Sequence, residues 1–410
     1  MDDGFRLPGK PDGMAVFPGE NGEIILVRNH ELSHTQVLEG PYAGQGQGLG
    51  SIDAAKVYDR RDGIAPHIGG TSNLVYDLES GTVKRQFLSL TGTARNCAGG
   101  PTPWNTWITC EETLERAGGG NLEDHGYNFE VKATSQPHIT DPVPLKAMGR
   151  FNHEAVAVDP RTSIVYQTED RHDSLLYRFI PKVKGELDKG GKLQALALRS
   201  AERADTRNWP ASAVENDHAS APESARPTNP QPMAPMQVFE VDWVDLDDVE
   251  APDDDLRYRG RADGAAVFAR GEGMWRADDG SIFFACTNGG PILSGQVFRY
   301  TPSRHEGTVR EDSDPGTLSL FVESTDTDLL QYCDNLTVAP WGDLILAEDG
   351  PDEQYLRGVT PEGKLFTLAK NRYNLSEFTG VCFDPKGETL FVNIQTPGIT
   401  LAVTGPWRDT

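Results

Sequence analysis

Short runs of apolar residues alternate with polar ones along the whole chain, and turn residues separate them. The turns include "ENGE" (residues 20–23), "DDGS" (278–281) and "DPKG" (384–387). Alternation with a period of two, bounded by Gly, Pro, Asp and Asn, is typical of short β-strands. The pattern therefore predicts an all-β protein.

One unit recurs along the chain. It contains a short strand, a turn with Pro, Asp or Gly, and a second short strand that ends in polar or acidic residues. Its copies begin at Asp12, Cys97, His153, Glu272, Asp334 and Phe378. Several copies are followed by another strand pair, as at 175–182 and 295–302. Three or four strands per unit, repeated about six times, predict a six-bladed β-propeller. Two packed sandwiches are the alternative.

The spacing of the copies predicts the domain organisation. We expect residues 1–410 to form a single propeller domain with loop insertions on one face. The longest gap contains a Pro-, Ala- and Asn-rich stretch, Arg207 to Gln237, and predicts an extended loop insertion over residues 201–237. A smaller excursion lies between Thr113 and Arg150.

Charge narrows the range of partners. The net charge is −24, from 62 acidic and 38 basic residues, so the chain repels nucleic acid and anionic membranes and attracts cations. No apolar stretch approaches the ~20 residues that span a bilayer, and Met1 to Lys10 is not a signal peptide. Either the protein is cytosolic or a leader has been removed.

Five cysteines do not predict a disulfide framework, although Cys97 and Cys110 could pair.

The polar ends of the repeated hairpins suggest a site. In a hairpin, the start of the first strand and the end of the second lie at the same end. The starts are Asp12, His153-Glu154, Glu272 and Asp334-Asn335, and the ends are Asn29-His30-Glu31, Cys110-Glu111-Glu112, Glu169-Asp170, Asn288 and Glu348-Asp349. If these are the inner strands of a propeller, the groups converge on one mouth of its central channel.

Such a crowd of anionic groups requires protons or metal ions, because neighbouring carboxylates raise one another's pKa. Carboxylate oxygens suit calcium, and a thiolate among them suits iron or zinc. We therefore predict a mixed metal cluster. The argument depends on repetition in five hairpins. A single Glu at a strand end is usually a solvated surface residue, a single Cys is usually just buried, and a single His more often satisfies a local hydrogen bond.

Two further residues point to an anionic substrate. Arg270 precedes Glu272 by two positions, so their side chains lie on the same side of an extended chain. The guanidinium suits bidentate binding of phosphate or carboxylate. Asn96 lies in a loop rich in Gly, Pro and Thr that could cradle an oxyanion.

The motifs together resemble those of the PhoX-type alkaline phosphatases. The segments are "RNHE", "RNCAGGPTPWNTWITCEE", "GRFNHEAVAVDP", "EGMWRADDGSIFFACTNGG", "GQVFRYTP" and "LFVNIQTPG", in order from about Asp12 to Trp407. The resemblance implies a six-bladed propeller with iron (Fe³⁺) and calcium in the channel mouth. It also implies hydrolysis of small phosphate monoesters outside the cytoplasm, after twin-arginine export to the periplasm or medium. We expect a monomer.

Residue roles follow from this resemblance. Cys110 resembles the iron-binding cysteine, and Glu154 and Glu272 resemble the carboxylates that hold iron. Glu111 and Glu348 would serve calcium, with Glu31 and Glu169 as further metal ligands from the strand-end argument, and Arg270 and Asn96 would bind the phosphate. The chain departs from the family pattern at Thr396, where histidine is expected, and at Asn105, which is often glycine.

Two other functions use the same residues. A calcium-dependent propeller lactonase or esterase would need the carboxylates but no cysteine. A non-catalytic propeller scaffold with structural calcium would need neither Arg270 nor turnover. Metal content and phosphatase activity distinguish the three.

Overall fold

A computed structural model describes residues 1–42, 50, 52–62, 65–218, 222–227, 229–230 and 232–407. Within these ranges the chain is almost entirely antiparallel β-structure, as the alternating pattern predicts. The two α-helices are α1 (Ala211–His218) and α2 (Leu256–Ala262). Short 3-10 turns cover Ala54–Lys56, Lys146–Met148, Leu187–Lys189, Glu223–Ala225 and Glu311–Ser313. Neither helix of the described residues has the length and apolar character required to cross a bilayer.

The strands form consecutive antiparallel units along the chain. The first two units contain β1 (Pro11–Pro18), β2 (Glu23–His30), β3 (Gly69–Asp77), β4 (Thr82–Thr93), then β5 (Asn96–Pro101), β6 (Thr106–Glu111) and β7 (Asn128–Lys132). The third contains β8 (His153–Val158), β9 (Val165–Glu169), β10 (Tyr177–Pro181) and β11 (Gly191–Leu198). A short parallel pair, β12 (Ala204–Asp205) and β13 (Asn229–Pro230), precedes β14 (Val238–Leu246).

The second half continues in the same way. The fourth unit contains β15 (Gly271–Arg276), β16 (Ile282–Cys286), β17 (Gln296–Thr301) and β18 (Thr317–Glu323). The last two contain β19 (Cys333–Val338), β20 (Leu344–Glu348), β21 (Tyr355–Val359), β22 (Leu365–Lys370), then β23 (Phe378–Phe383), β24 (Thr389–Ile394) and β25 (Ile399–Thr404).

The first strands of the units pack beside one another in cyclic order: β1, β5, β8, β15, β19, β23 and back to β1. Five of their six third residues are Gly or Ala, because backbones approach closely there; the exception is Asn335. A Cβ on Gly13 would lie 2.6 Å from Cα of Ala98, and one on Gly380 would lie 2.3 Å from the carbonyl oxygen of Asp12. This ring brings the first and last units of the chain together.

Strand β14 merges two of the units. It pairs with β11 along Val241–Leu246 and with β18 along Val238–Glu240, which produces a nine-stranded sheet. The fold is therefore propeller-like, and the number of six blades stays a prediction. The predicted insertion, 201–237, lies between β11 and β14; its residues 219–221, 228 and 231 lie outside the described residues.

The hydrophobic core lies largely between neighbouring units. Phe17 and Val27 of the first unit pack with Trp107 and Phe129 of the second. Another cluster joins the first unit to the last through residues such as Leu26 and Phe391. Because each unit buries its faces against its neighbours, the polar ends of the strands are held at the centre of the ring.

Each first strand carries a β-bulge near its start. The ladder with the second strand loses register between the first and fourth residues in five units, and one residue later in the last. A bulge bends a strand and redirects a side chain. The second residues of the six strands are all buried polar groups or a thiol, namely Asp12, Cys97, Glu154, Glu272, Asp334 and Thr379.

Candidate active site

The bulged starts of the first strands supply most of one connected set of metal-binding side chains. Three groups have ligand atoms within 4.8 Å of one another: Asp12–Glu31–Cys97, Cys97–Glu112–Glu154 and Glu154–Glu272–Asp334. Cys97 and Glu154 each belong to two groups and so connect them. We call these seven residues the acidic cluster.

Glu31 and Glu112 lie immediately after the second strands of their units. Each follows directly after the last paired residue, since His30 pairs with Pro11 and Glu111 pairs with Asn96. Asp170 and Asp349 occupy the same position in the third and fifth units, one residue after β9 and β20. Besides burial, the charge of Asp170 raises the pKa of Glu112, and that of Asp349 raises the pKa of Asp334, which is consistent with positions next to the cluster.

The last paired residues themselves turn towards their own units. Glu111 accepts hydrogen bonds from the backbone N–H groups of Ala94 and Gly126, both at 2.9 Å, and pairs with His125 at 2.7 Å. Glu169 accepts a hydrogen bond from the hydroxyl of Tyr177, and Glu348 accepts a hydrogen bond from Nε of Arg357. Of the predicted ligands, Glu31, Glu154 and Glu272 are therefore in the acidic cluster, whereas Glu111, Glu169 and Glu348 hold loops of their own units.

The thiol of the cluster is Cys97 instead of Cys110. Cys110 is fully buried in a hydrophobic cluster with Ile108 and Phe151. Cys97 is the second residue of β5, in the position of Asp12 and Glu154. Aligning the starts of the repeated units would have identified it. All five cysteines are free, so Cys97 and Cys110 do not pair.

Arg270 adjoins the cluster as predicted. Its Nε and Nη2 atoms donate hydrogen bonds to the two carboxylate oxygens of Asp170 at 2.7 and 3.0 Å, and Nη2 also donates to Glu272 at 2.8 Å. Arg95, which sequence reasoning did not single out, lies two residues before Cys97 as Arg270 lies two before Glu272. It pairs with Glu112 at 2.6 Å and Glu31 at 3.1 Å.

Both arginines line a polar cavity of about 380 Å³, together with Glu112, Asn152 and Asp170. Asn96, the predicted substrate-binding amide, is fully buried and bonds to Thr93 and Thr109 instead. The amide that faces the cavity is that of Asn152, which donates a 3.1 Å hydrogen bond to Glu112.

The protein alone does not neutralise this cluster. Within the described residues, both carboxylate oxygens of Glu154 and one of Asp12 are buried without a hydrogen-bond partner. Burial, followed by the neighbouring carboxylates, raises the pKa of Glu154 and Glu272 far above their usual range. Burial likewise raises the pKa of Glu112 to about 8 and of Asp334 to about 7. Carboxylates and a thiol in this arrangement fit cations, which would take the place of the protons.

Comparison with known proteins identifies the family. A family model described as alkaline phosphatase PhoX matches residues 2–398. The chain belongs to the PhoX family. The PhoX assignment confirms the family predicted from the sequence motifs and makes the chain a phosphomonoester hydrolase. No curated protein matched the chain in a separate search.

Solved structures support the PhoX fold. Pseudomonas fluorescens PhoX, solved in complex with vanadate, a transition state analogue, has a TM-score of 0.64 and 17% identity over 95% of this chain and 84% of that one. A gluconolactonase from Xanthomonas campestris has a TM-score of 0.45 and 13% identity over 98% of this chain and 88% of that one. The second likeness is too weak to bear on fold or function.

Proposed function

We propose that this PhoX-family chain hydrolyses small phosphate monoesters at a mixed iron and calcium centre in the mouth of the propeller channel. The observation that carries the proposal is the acidic cluster, in which one thiol and six carboxylates are connected and Glu154 has two buried oxygens without partners. A buried anionic group of this kind is stable when a cation binds it.

The donor types suggest how the metals divide. Cys97 is the soft ligand that favours iron, with Glu112 and Glu154 in the same group. Glu154, Glu272 and Asp334 form an all-oxygen group that suits calcium. Asp12 and Glu31 supply further oxygen ligands next to Cys97. This assignment replaces Cys110, Glu111 and Glu348 with residues that lie together.

The substrate phosphate would bind in the 380 Å³ cavity beside the cluster. Arg270 is held by both oxygens of Asp170, so its planar fork is fixed in place before the phosphate arrives. Arg95 and Asn152 line the same cavity and can bind other oxygens of the substrate. Bound metal ions would neutralise the phosphate oxygens and activate the attacking oxygen. Arg270 would add positive charge where negative charge develops in the transition state.

The decisive experiment compares two cysteine variants. Cys97→Ala and Cys110→Ala are purified without chelator, metals are measured by mass spectrometry, and turnover of p-nitrophenyl phosphate is measured at alkaline pH. We expect Cys97→Ala to lose iron and at least about 100-fold in activity, because even loss of groups behind metal ligands costs 10–100-fold. Cys110→Ala removes one sulfur atom from the hydrophobic core, and this variant should retain both its iron and its activity.

Other results would redirect the proposal. Iron and activity that survive in Cys97→Ala but not in Cys110→Ala would restore the thiol assignment made from the sequence. Calcium without iron in the unmodified protein, together with no phosphatase activity, would favour the lactonase or the scaffold. By resemblance we further propose that the protein is exported, periplasmic or secreted, and that it is a monomer.

A further inference from the structure

Three loops meet outside the acidic cluster and bring two histidines and a glutamate together. His34 follows β2, His67 precedes β3, and Glu115 follows β6. One ligand atom from each lies within 4.8 Å of the others. This group shares no residue with the acidic cluster, and neither the PhoX match nor the sequence argument assigns it a role.

The distances suit ligands around an ion better than a hydrogen-bonded triad. Nδ1 of His34 is 3.6 Å from Oε2 of Glu115, and Nε2 of His67 is 3.7 Å from the same oxygen. Both contacts are too long for strong hydrogen bonds. Two ligands that are each ~2.0–2.1 Å from a tetrahedral zinc ion lie a little over 3 Å apart. Small movements of these side chains would therefore complete the geometry.

Each of the two histidines has one ring nitrogen without a hydrogen-bond partner in the described part of the chain. Among the described residues, Nδ1 of His34 is a buried atom without a hydrogen-bond partner. Nδ1 of the fully buried His67 ring is another such nitrogen. A neutral imidazole has a free lone pair for a metal ion.

The side-chain amide of Asn121 bridges two of the ligands in this structure. Its oxygen accepts a 3.1 Å hydrogen bond from Nε2–H of His67, and its nitrogen donates a 3.0 Å hydrogen bond to Oε2 of Glu115. The amide thus orients the carboxylate and the imidazole towards each other. A metal ion at Nε2 would therefore replace the bond to Asn121 and leave the ring proton on Nδ1, which is buried without a partner. His34 and Glu115 keep about 30% of their side-chain surfaces exposed, at 29% and 30%, so an ion can reach the site from solvent.

We propose that His34, His67 and Glu115 bind a divalent transition metal, with zinc as the best match, and that this ion fastens three loops to one another. Two imidazoles and one carboxylate are a common ligand set for such ions. The loop that carries Glu115 forms part of the wall of the proposed substrate cavity, since Thr113 and Leu114 line that cavity. The ion would therefore stabilise that wall without taking part in catalysis.

The test counts zinc ions in the intact protein. Wild type, His34→Ala and His138→Ala are titrated with Zn²⁺ against a colorimetric zinc indicator, and the melting temperature is followed with and without Zn²⁺. His138 is an exposed histidine elsewhere on the chain and serves as the matched control. We expect His34→Ala to bind one zinc ion fewer than the other two and to lose the zinc-dependent rise in melting temperature.

A second variant separates this site from the acidic cluster. Glu154→Gln should lose metal from the acidic cluster and retain the zinc ion that depends on His34. Equal zinc binding by wild type and His34→Ala would overturn the proposal, as would loss of that zinc ion in Glu154→Gln. Neither result would depend on whether the protein is a phosphatase.

Discussion

At the scale of single residues, three basic residues that precede first strands share an unusual backbone conformation. Arg270 has φ of 50°, and Arg95 and Lys10, at the equivalent position before their own first strands, have φ of 47° and 42°. For a residue with a Cβ, this left-handed conformation costs roughly 1–2 kcal/mol. Its repetition beside a cluster of charged groups is typical of functional sites, where strain is maintained by the surrounding structure.

The first prediction concerns Arg270. Arg270→Gln removes the charge and the fork that would hold the phosphate. We expect kcat/KM for p-nitrophenyl phosphate to fall by roughly 10²–10³-fold, as for loss of other transition-state donors, with unchanged metal content. Arg304→Gln, which removes a largely exposed arginine paired with Asp314, is the control. An unchanged kcat/KM in Arg270→Gln would exclude a role in substrate binding.

At the scale of elements, alternation along a strand separates function from structure. Glu111 and Glu112 are adjacent at the end of β6, and their side chains point to opposite sides. Glu112 joins Cys97 and Glu154, whereas Glu111 joins His125 and backbone amides. A shift of one residue exchanges these environments, and the sequence motif "CEE" does not show which glutamate faces the centre.

The second prediction tests this separation. Glu111→Gln should lower the free energy of unfolding by about 3–5 kcal/mol, because it breaks a buried ion pair, and should leave the activity of the folded protein unchanged. Glu112→Gln should lower activity and metal content with a smaller effect on stability. Urea denaturation in chelator and p-nitrophenyl phosphate turnover measure the two. Loss of activity in Glu111→Gln with little loss of stability would reverse the assignment.

The close approach of first strands explains the glycine or alanine at five of their six third positions. Gly380 has φ of 62°, and a Cβ there would lie 2.3 Å from the carbonyl oxygen of Asp12. Gly22 has φ of 83° in a turn, and a Cβ there would have no atom within 4 Å. The two glycines therefore share a conformation and differ in their surroundings.

The third prediction uses this difference. Gly22→Ala should cost about 1–2 kcal/mol of unfolding free energy, because only the backbone conformation is strained. Gly380→Ala should cost more than about 3 kcal/mol, in the range of exceptional single substitutions, and should lower activity by displacing Asp12. Thermal and urea unfolding compare them. Equal costs would mean that the strands separate easily at the ring closure.

At the scale of the whole molecule, the acidic cluster links stability to cations. Without a cation, Glu154 has two buried oxygens without partners at the centre of the ring. A carboxylate of this kind destabilises the folded chain once it is ionised. Bound metal reverses the effect, because an ion that binds the folded state stabilises it by mass action.

The fourth prediction is a change of sign for Glu154→Gln. In chelator at alkaline pH the variant should melt at a higher temperature than wild type, because it lacks the unpaired charge. With calcium and iron present, wild type should be the more stable. Glu353→Gln, which removes a carboxylate from the exposed surface, should change little under either condition. A variant less stable than wild type in chelator would show that other groups neutralise Glu154.

Much of the fold was predictable from local pattern. Alternating apolar residues between turn signals predict short strands, and the repeat of hairpins with polar ends predicts a propeller-like ring with those ends together. The same repeat placed six carboxylates at one end of the hairpins, and the structure brings them together: Asp12, Glu31, Glu112, Glu154, Glu272 and Asp334. The spacing from Glu272 added Arg270, which donates a hydrogen bond to Glu272. These features depend on side-chain periodicity and on repetition, and both are present in the sequence itself.

Only the tertiary structure decided which thiol, and which of two adjacent glutamates, joins the acidic cluster. Cys110 and Cys97 both lie near strand ends, and adjacent glutamates such as Glu111 and Glu112 are chemically identical. Which of them faces the centre depends on strand pairing and on the bulge at the start of each first strand. The clustering of His34, His67 and Glu115 is likewise a product of loop packing. Sequence determined which groups the strands carry, and the register of paired strands determined which of those groups meet, because one residue of displacement turns a side chain to the opposite face.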